Sequence, residues 1–292
     1  MDPAMKRGAS GSASATFRRL LPSRLRNVPF YVLSGMVAVT FLFPLAWAAF
    51  ASVSATPGSA QTSGFGFANY QALFNWQDGL PTYFLNSTII ACSTVVFTLT
   101  TSLLGGYAFA KFDFPFKNVI FMVTLGILMV PVATMLIPLL ILLKTLGLQD
   151  SLLGLSLVMS MFQLPFATFM MRVSMEGVPA DLEEAAQVDG CGTFGIFRRI
   201  ILPAVRPAMI TVALFAFLAA WNDFITPLIL IGSSGKEPLA LAFTVMREQS
   251  IGVINYGSLE AGVVVMALPC LILFYTLQGQ YVRGFMSGAI KG

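Results

Sequence analysis

The sequence predicts an all-α polytopic membrane protein with six transmembrane helices and a polar loop between the fourth and fifth. Three observations predict it. Six apolar runs reach the length of about 20 residues that a helix needs to cross a bilayer. The chain is 57% hydrophobic and 10% charged, whereas soluble domains are about 45–50% apolar and about 25% charged. Lys and Arg, finally, gather on one set of alternating loops, as they do where those loops resist translocation.

The first 16 residues end in GASGSASAT and are too poor in apolar groups to build a core. TFRRLLPSRLRN, at 16–27, then alternates bases with leucines, which suits a topology signal and also a segment lying on anionic headgroups. The spans follow at 29–53, 83–110, 118–143, 152–171, 207–232 and 258–282. The first begins too far in, and lacks a small-residue cleavage site behind it, to be a removed signal peptide, so it is expected to stay as an anchor. Pro44, Pro131, Pro138, Pro165, Pro227 and Pro269 fall inside spans. Each removes a backbone hydrogen bond and kinks its helix. Bent helices can enclose a path, although proline is also simply more frequent in spanning helices.

Orientation follows from the basic residues. Lys6, Arg7, Arg18, Arg19, Arg24 and Arg26 precede span 1, Lys111 and Lys117 join spans 2 and 3, Arg172, Arg198, Arg199 and Arg206 join spans 4 and 5, and Arg283 and Lys291 follow span 6. The opposite loops hold Lys144, Lys236 and Arg247, so the bias is 14 to 3. It puts both termini and the 4–5 loop in the cytoplasm.

Whole classes of chemistry fall away. The chain has no histidine, which removes Ser-His and Cys-His catalysis, histidine metal sites and histidine proton relays. Cys92, Cys191 and Cys270 lack metal-ligand spacing and read as small hydrophobic residues. The chain therefore reads as a non-enzyme with no metal or cofactor of its own. Its net charge of +4 reflects the basic loops and calls for no nucleic acid.

The polar loop, 179–203, contains EEAAQVDGCGTFGIFRRIILP at 183–203. Pro179 suits a first helical turn, where Asp181, Glu183 and Glu184 meet the favourable end of the helix dipole. Leu182, Ala185, Ala186 and Asp189 share a face by 3–4 spacing, and the two alanines allow another surface to come close. Gly190 is suited to the left-handed turn that ends the helix. Thr193 is placed to cap a second helix, whose apolar side is Phe194, Phe197, Ile200 and Ile201 and which stops before Pro203. This helix-turn-helix unit is expected to lie across the cytoplasmic surface and to fit a groove in another protein. A connector resting on lipid explains Phe194, Phe197, Arg198 and Arg199 but not three acids beside an anionic surface.

Glu184-Ala185-Ala186, Gly190 after three residues, and Ile200-Ile201-Leu202-Pro203 after nine more are similar, position by position, to the EAA loop of ATP-binding-cassette importer permeases. Asn86-Ser87, QLPF at 163–166, WNDF at 221–224 and GAIKG at 288–292 widen the resemblance to the sugar-importing, maltose-transporter-like branch over residues 30–292. The resemblance implies a cytoplasmic segment 1–28, a six-span permease domain 29–284 with its coupling loop 179–203, and a cytoplasmic tail 285–292. It implies a multi-pass subunit of a bacterial or archaeal cell (inner) membrane, working with a second permease, two ATPase subunits and an extracytoplasmic sugar-binding protein. The loop, through Glu183, Glu184, Ala185, Ala186, Asp189, Gly190, Leu202 and Pro203, would seat in the ATPase and take up its closure. GSSGKE at 232–237 lacks the first glycine of a P-loop and its final Ser or Thr, so ATP and Mg belong on a separate chain.

Asp223 falls inside span 5, where an acid costs about 2.5–3.5 kcal/mol and must face a partner or a wet cavity. With Asn222, Gln163 in span 4, Asn86 in span 2 and the ring of Trp221, it is a candidate for the sugar path. Interhelical hydrogen bonding explains the same residues. The 5–6 loop is the longest outer segment after the first loop, and by the resemblance Gly232, Ser233, Ser234, Gly235 and Lys236 are candidates for touching the binding protein. Competing readings are a secondary transporter driven by an ion gradient, with Asp223 as its coupling site, and an importer of the same family for another solute.

Overall fold

The computed structural model describes residues 28–56, 58–249 and 255–289. The Gly/Ala/Ser-rich start, TFRRLLPSRLRN and the last three residues of GAIKG lie outside them. The described chain is all-α. Its helices are α1 (Val28–Val53), α2 (Ala68–Phe74), α3 (Leu80–Lys111), α4 (Lys117–Met129), α5 (Val132–Thr145), α6 (Leu152–Glu176), α7 (Ala180–Val188), α8 (Thr193–Ala204), α9 (Arg206–Asn222), α10 (Ile225–Leu230), α11 (Leu239–Gln249) and α12 (Tyr256–Ala289).

Four helices, α1, α3, α6 and α12, are long and apolar enough to cross a membrane unbroken. Two bent pairs, α4 with α5 and α8 with α9, bring the number to as many as six when each pair is counted as one span. Span 3 is one of them and corrects the sequence reading of a single kinked helix: α4 and α5 meet at 106°. The cause is Pro131, which lacks an N–H and stands extended with φ −61° and ψ 125°, while Val130 before it is extended too. Span 5 also departs from expectation. Its helix α9 ends at Asn222, Asp223 turns extended, and the short α10 carries Pro227. At its start α9 meets α8 at 73°.

α3, α6 and α9 form the centre, and α12 packs on α9, α11, α1 and α2. Small residues let the central backbones approach. A Cβ on Gly106 of α3 would lie 2.5 Å from Cβ of Met171 on α6, so only glycine fits. Thr94 Oγ1 donates to the Ser156 carbonyl at 3.4 Å along the same contact. Ser151 starts α6 by accepting from the Gly154 N–H at 3.0 Å.

Buried side chains form two clusters, one at each end of this bundle. The first includes Leu73, Tyr83, Leu155, Trp221, Leu239 and Phe243, and the second includes Met171, Met175, Val178, Ala186, Ile196 and Ile201. Outside them the chain is apolar outward as well. Phe41, Phe43, Met122, Met129 and Ile141 are exposed on α1, α4 and α5, a surface that water does not tolerate in contiguous form and that lipid solvates. Lys111, Lys117, Arg172, Arg198, Arg199 and Arg206 lie at the end holding the second cluster, called here the basic end.

Candidate functional site

At the basic end residues 179–203 form the expected helix-turn-helix unit, with three local corrections. Pro179 is the residue before α7, with ψ 133°, not part of its first turn. Gly192, extended, precedes α8, and Thr193 is the first helical residue and caps nothing with its side chain. Phe197–Ile201 then form a π-turn within α8, an irregularity that recurs at functional sites. Gly190 stands at φ +80°, the left-handed turn the sequence anticipates.

The unit has an inner and an outer side. Ala186 is buried against the second cluster. Glu183 turns inward to an ion pair with Lys111 at the end of α3, the two side chains being 14% and 17% exposed. Glu184, Ala185, Asp189 and Gly190 face outward, and beside them Leu182, Val188 and Phe194 are 51%, 88% and 74% exposed. Ala185 and Ala186 thus serve opposite surfaces: one leaves the outer side low, the other lets α7 lie on its own bundle. Leu202 is half-buried and Pro203 exposed at the far limb. Lys111 was legible only as a topology charge.

The opposite end is held by a polar clasp. Asp150, between α5 and α6, accepts from the N–H groups of Gly232 at 2.9 Å and Ser233 at 3.2 Å, and from the Ser233 hydroxyl. Lys236 Nζ donates to its carboxylate at 3.1 Å and to its carbonyl at 2.6 Å. The Ser233 hydroxyl above all holds the Asp150 carboxyl well below the usual carboxylate range, against an opposing effect of burial. Asn86 Nδ2 donates to the carbonyls of Gly235 at 2.9 Å and Glu237 at 3.0 Å, and Ser87 accepts from Leu239 N–H at 2.8 Å. Gly232, Ser234 and Gly235 are themselves exposed. Burial, with Asp78 nearby, pushes the Glu237 carboxyl up.

The segment that follows is no simple connector: α11 folds back into the first cluster, with Leu239, Ala242 and Phe243 buried. Where α9 breaks, Asp223 Oδ1 accepts from the N–H groups of Ile225 at 2.9 Å and Thr226 at 3.3 Å, and its other oxygen accepts from the Thr226 hydroxyl. Its charge therefore serves the first turn of α10. Trp221 is 1% exposed, stacks on Phe217 and donates to the Met266 carbonyl at 3.0 Å. Asn222 is exposed and donates to the Leu218 carbonyl at 2.8 Å. It borders a cavity of about 360 Å³ with Phe224, Phe243, Thr244 and Arg247. Gln163 is half-buried on α6, two residues before Pro165. The structure thus gathers Asn222 and Asp223 at one break and puts Asn86 in the clasp. Asp150 and Thr244 escape a sequence reading and Arg247 is legible only as a topology charge, because the first is one acid before a span and the others lie on a helix too short to read as a span. Among the described residues no cluster of three or more His, Cys, Asp or Glu is assembled.

Known proteins resemble this chain in sequence and in fold. Residues 102–285 match the family described as the binding-protein-dependent transport system inner membrane component. The arabinooligosaccharides transport system permease protein AraQ of Bacillus subtilis is 35% identical, over 77% of this chain and 79% of that protein. The diacetylchitobiose uptake system permease protein NgcG of Streptomyces coelicolor is 30% identical, over 87% and 85%. In fold, the chain is similar to a bacterial ABC transporter involved in import of the acidic polysaccharide alginate, with a TM-score of 0.71, 20% identity, and coverage of 88% of this chain and 96% of that one. A second structure of an alginate ABC transporter, in complex with an alginate pentasaccharide-bound periplasmic protein, gives 0.67 at 14% identity over 91% and 98%. This multi-pass membrane chain belongs to the family of binding-protein-dependent transport permeases.

Proposed function

We propose that this chain is the permease subunit of an ATP-driven importer that moves a sugar or oligosaccharide through the membrane. The observation that carries the reading is the unit at 179–203, which is anchored inward by Ala186 and Glu183 and presents Leu182, Val188 and Phe194 outward. Apolar side chains set among acids at the end of a bundle suit a protein groove better than an anionic lipid surface. The sugar class is supported by the relatives named for arabinooligosaccharides and diacetylchitobiose. The alginate transporter in complex with its periplasmic protein supports a binding-protein partner.

In this reading residues 1–28 and 285–292 flank a permease domain 29–284, both termini and the 179–203 loop are cytoplasmic, and the membrane is the cell (inner) membrane of a bacterium or archaeon. Two ATPase subunits hold ATP and Mg, one of them receives the coupling loop, and a second permease completes the path. Gly232, Ser234 and Gly235 meet the binding protein. The solute passes Asn222, whose amide borders the cavity beside α11 together with Thr244 and Arg247. Asp223 shapes that wall as a cap, and no observation favours an ion-gradient mechanism running on it.

The test is a complex reconstituted with its ATPases, second permease and binding protein. Gly190→Pro and Glu184→Lys should leave the chain inserted in the membrane and abolish solute-stimulated ATP hydrolysis. Normal stimulation in both variants sinks the coupling assignment.

A further inference from the structure

α3 is fastened by side chains to a different segment at each end. At the basic end its last turn carries Lys111, which pairs with Glu183 of α7 and donates to the Val178 carbonyl at 3.5 Å. One turn earlier, the Tyr107 ring centre lies 4.8 Å from that of Phe197 in α8. Both limbs of the helix-turn-helix unit therefore rest on one turn of α3. At the far end Asn86 and Ser87 hold the backbone of Gly235, Glu237 and Leu239. From Asn86 to Lys111, at about 1.5 Å per residue, the helix spans roughly 37 Å, more than the hydrocarbon core of a bilayer.

No proline lies between these fastenings, and the Gly105-Gly106 pair within them is braced where Gly106 packs against Met171 of α6. Of the described helices longer than 20 residues, α1, α6 and α12 contain Pro44, Pro165 and Pro269 in their interiors, and α3 contains none. An uninterrupted hydrogen-bond ladder resists the kinks that proline introduces. The Lys111–Glu183 pair is mostly buried, so salt screens it weakly and breaking it leaves a charge poorly solvated.

We propose that α3 is the strut that carries displacement between the 179–203 unit and the 232–239 segment, with Lys111 as the positioning residue at its cytoplasmic end. The inference rests on the coupling role proposed above. Movement of α7 on its ATPase is passed through the Lys111 ion pair to a helix that cannot fold at a proline, and from its other end to the clasp. The same link runs in reverse, so events at the clasp reach the docking unit.

The experiment measures solute taken up per ATP hydrolysed by the complete complex in proteoliposomes. Lys111→Met should lower this ratio at least fivefold, Lys111→Arg should keep at least half of it, and Lys111→Glu combined with Glu183→Lys should recover most of the loss. Asn86→Leu should lower the ratio as well. Lys111→Met together with Asn86→Leu should be no worse than the worse single variant, because two breaks in one series link act once, whereas independent lesions multiply. A wild-type ratio in Lys111→Met, or a double variant whose loss is the product of the single losses, overturns the strut. If Lys111→Met does not assemble, the charge-swapped pair decides: normal yield with an unrecovered ratio overturns it, and a recovered ratio supports it. A wild-type complex with no ATP-dependent uptake overturns the importer reading and the strut with it.

Discussion

Replacing Phe194 by Ser probes what the outer side of the coupling unit is for. The ring is 74% exposed, and fully burying such a side chain is worth about 1.5–3 kcal/mol. Covering the exposed three quarters in an ATPase groove therefore contributes about 1–2 kcal/mol, which corresponds to roughly 5–30-fold in a dissociation constant. The substitution sits in the second residue of α8 and leaves the inward contacts of Ile196 and Ile201 in place. Titration of labelled ATPase subunit onto the permease pair in nanodiscs, at fixed salt, should show binding weakened about tenfold. If Phe194 only rests on lipid, the dissociation constant stays within twofold of wild type, and that result refutes the docking argument.

Other outcomes follow from the opposite end. Asp223→Ala should lower the unfolding free energy by about 1 kcal/mol through loss of its cap, and Asp223→Asn should retain most of it; equal stability of the alanine variant in a thermal melt would contradict the capping role. Because the Glu237 carboxyl is pushed up by burial, the cost of its charge is fully present above its folded pKa and disappears as pH falls below its unfolded value. Glu237→Gln should therefore raise the melting temperature at pH 8 by about 2–4 °C, an effect of about 1 kcal/mol, and the gain should shrink towards pH 4; a gain that grows on acidification reverses the sign. Asp150 is displaced the other way, so its contribution is present above its unfolded pKa and is lost only as pH falls through the lower folded value. The clasp should hold at pH 5, and spin-label distances between 149 and 234, with Asp150 kept, that lengthen between pH 7 and pH 5 would disprove it. In a background without native cysteines, a cysteine at 236 should react with an impermeant reagent outside and one at 187 should not; reversed labelling overturns the orientation.

The spans were legible because about 20 apolar residues have few fates, and the folded chain holds four of them unbroken and up to six when each bent pair is counted as one. The breaks were not legible in kind. Pro131 reads as a kink, yet the bend is 106° because Val130 is also driven extended. Asp223 reads as an acid within a helix, whereas the helix stops before it and the carboxylate caps the next one. α11 was missed because eleven residues are too few for a span, and only its burial shows that LALAF belongs to the core. In the 179–203 unit the motif marked the segment, but helical periodicity alone could not say that Ala186 and Glu183 turn inward while Ala185 and Glu184 turn out. That division depends on Lys111, more than 70 residues earlier in the chain.

The central claim is that transport here runs on ATP through a docked partner. Proteoliposomes holding this chain with its second permease, ATPases and binding protein are loaded with ATP or left empty, and uptake of a labelled oligosaccharide is followed with ionophores present to collapse every ion gradient. Uptake is expected only in the ATP-loaded vesicles and at an unchanged rate with ionophores. Uptake that follows an imposed ion gradient in vesicles without ATP would contradict the account.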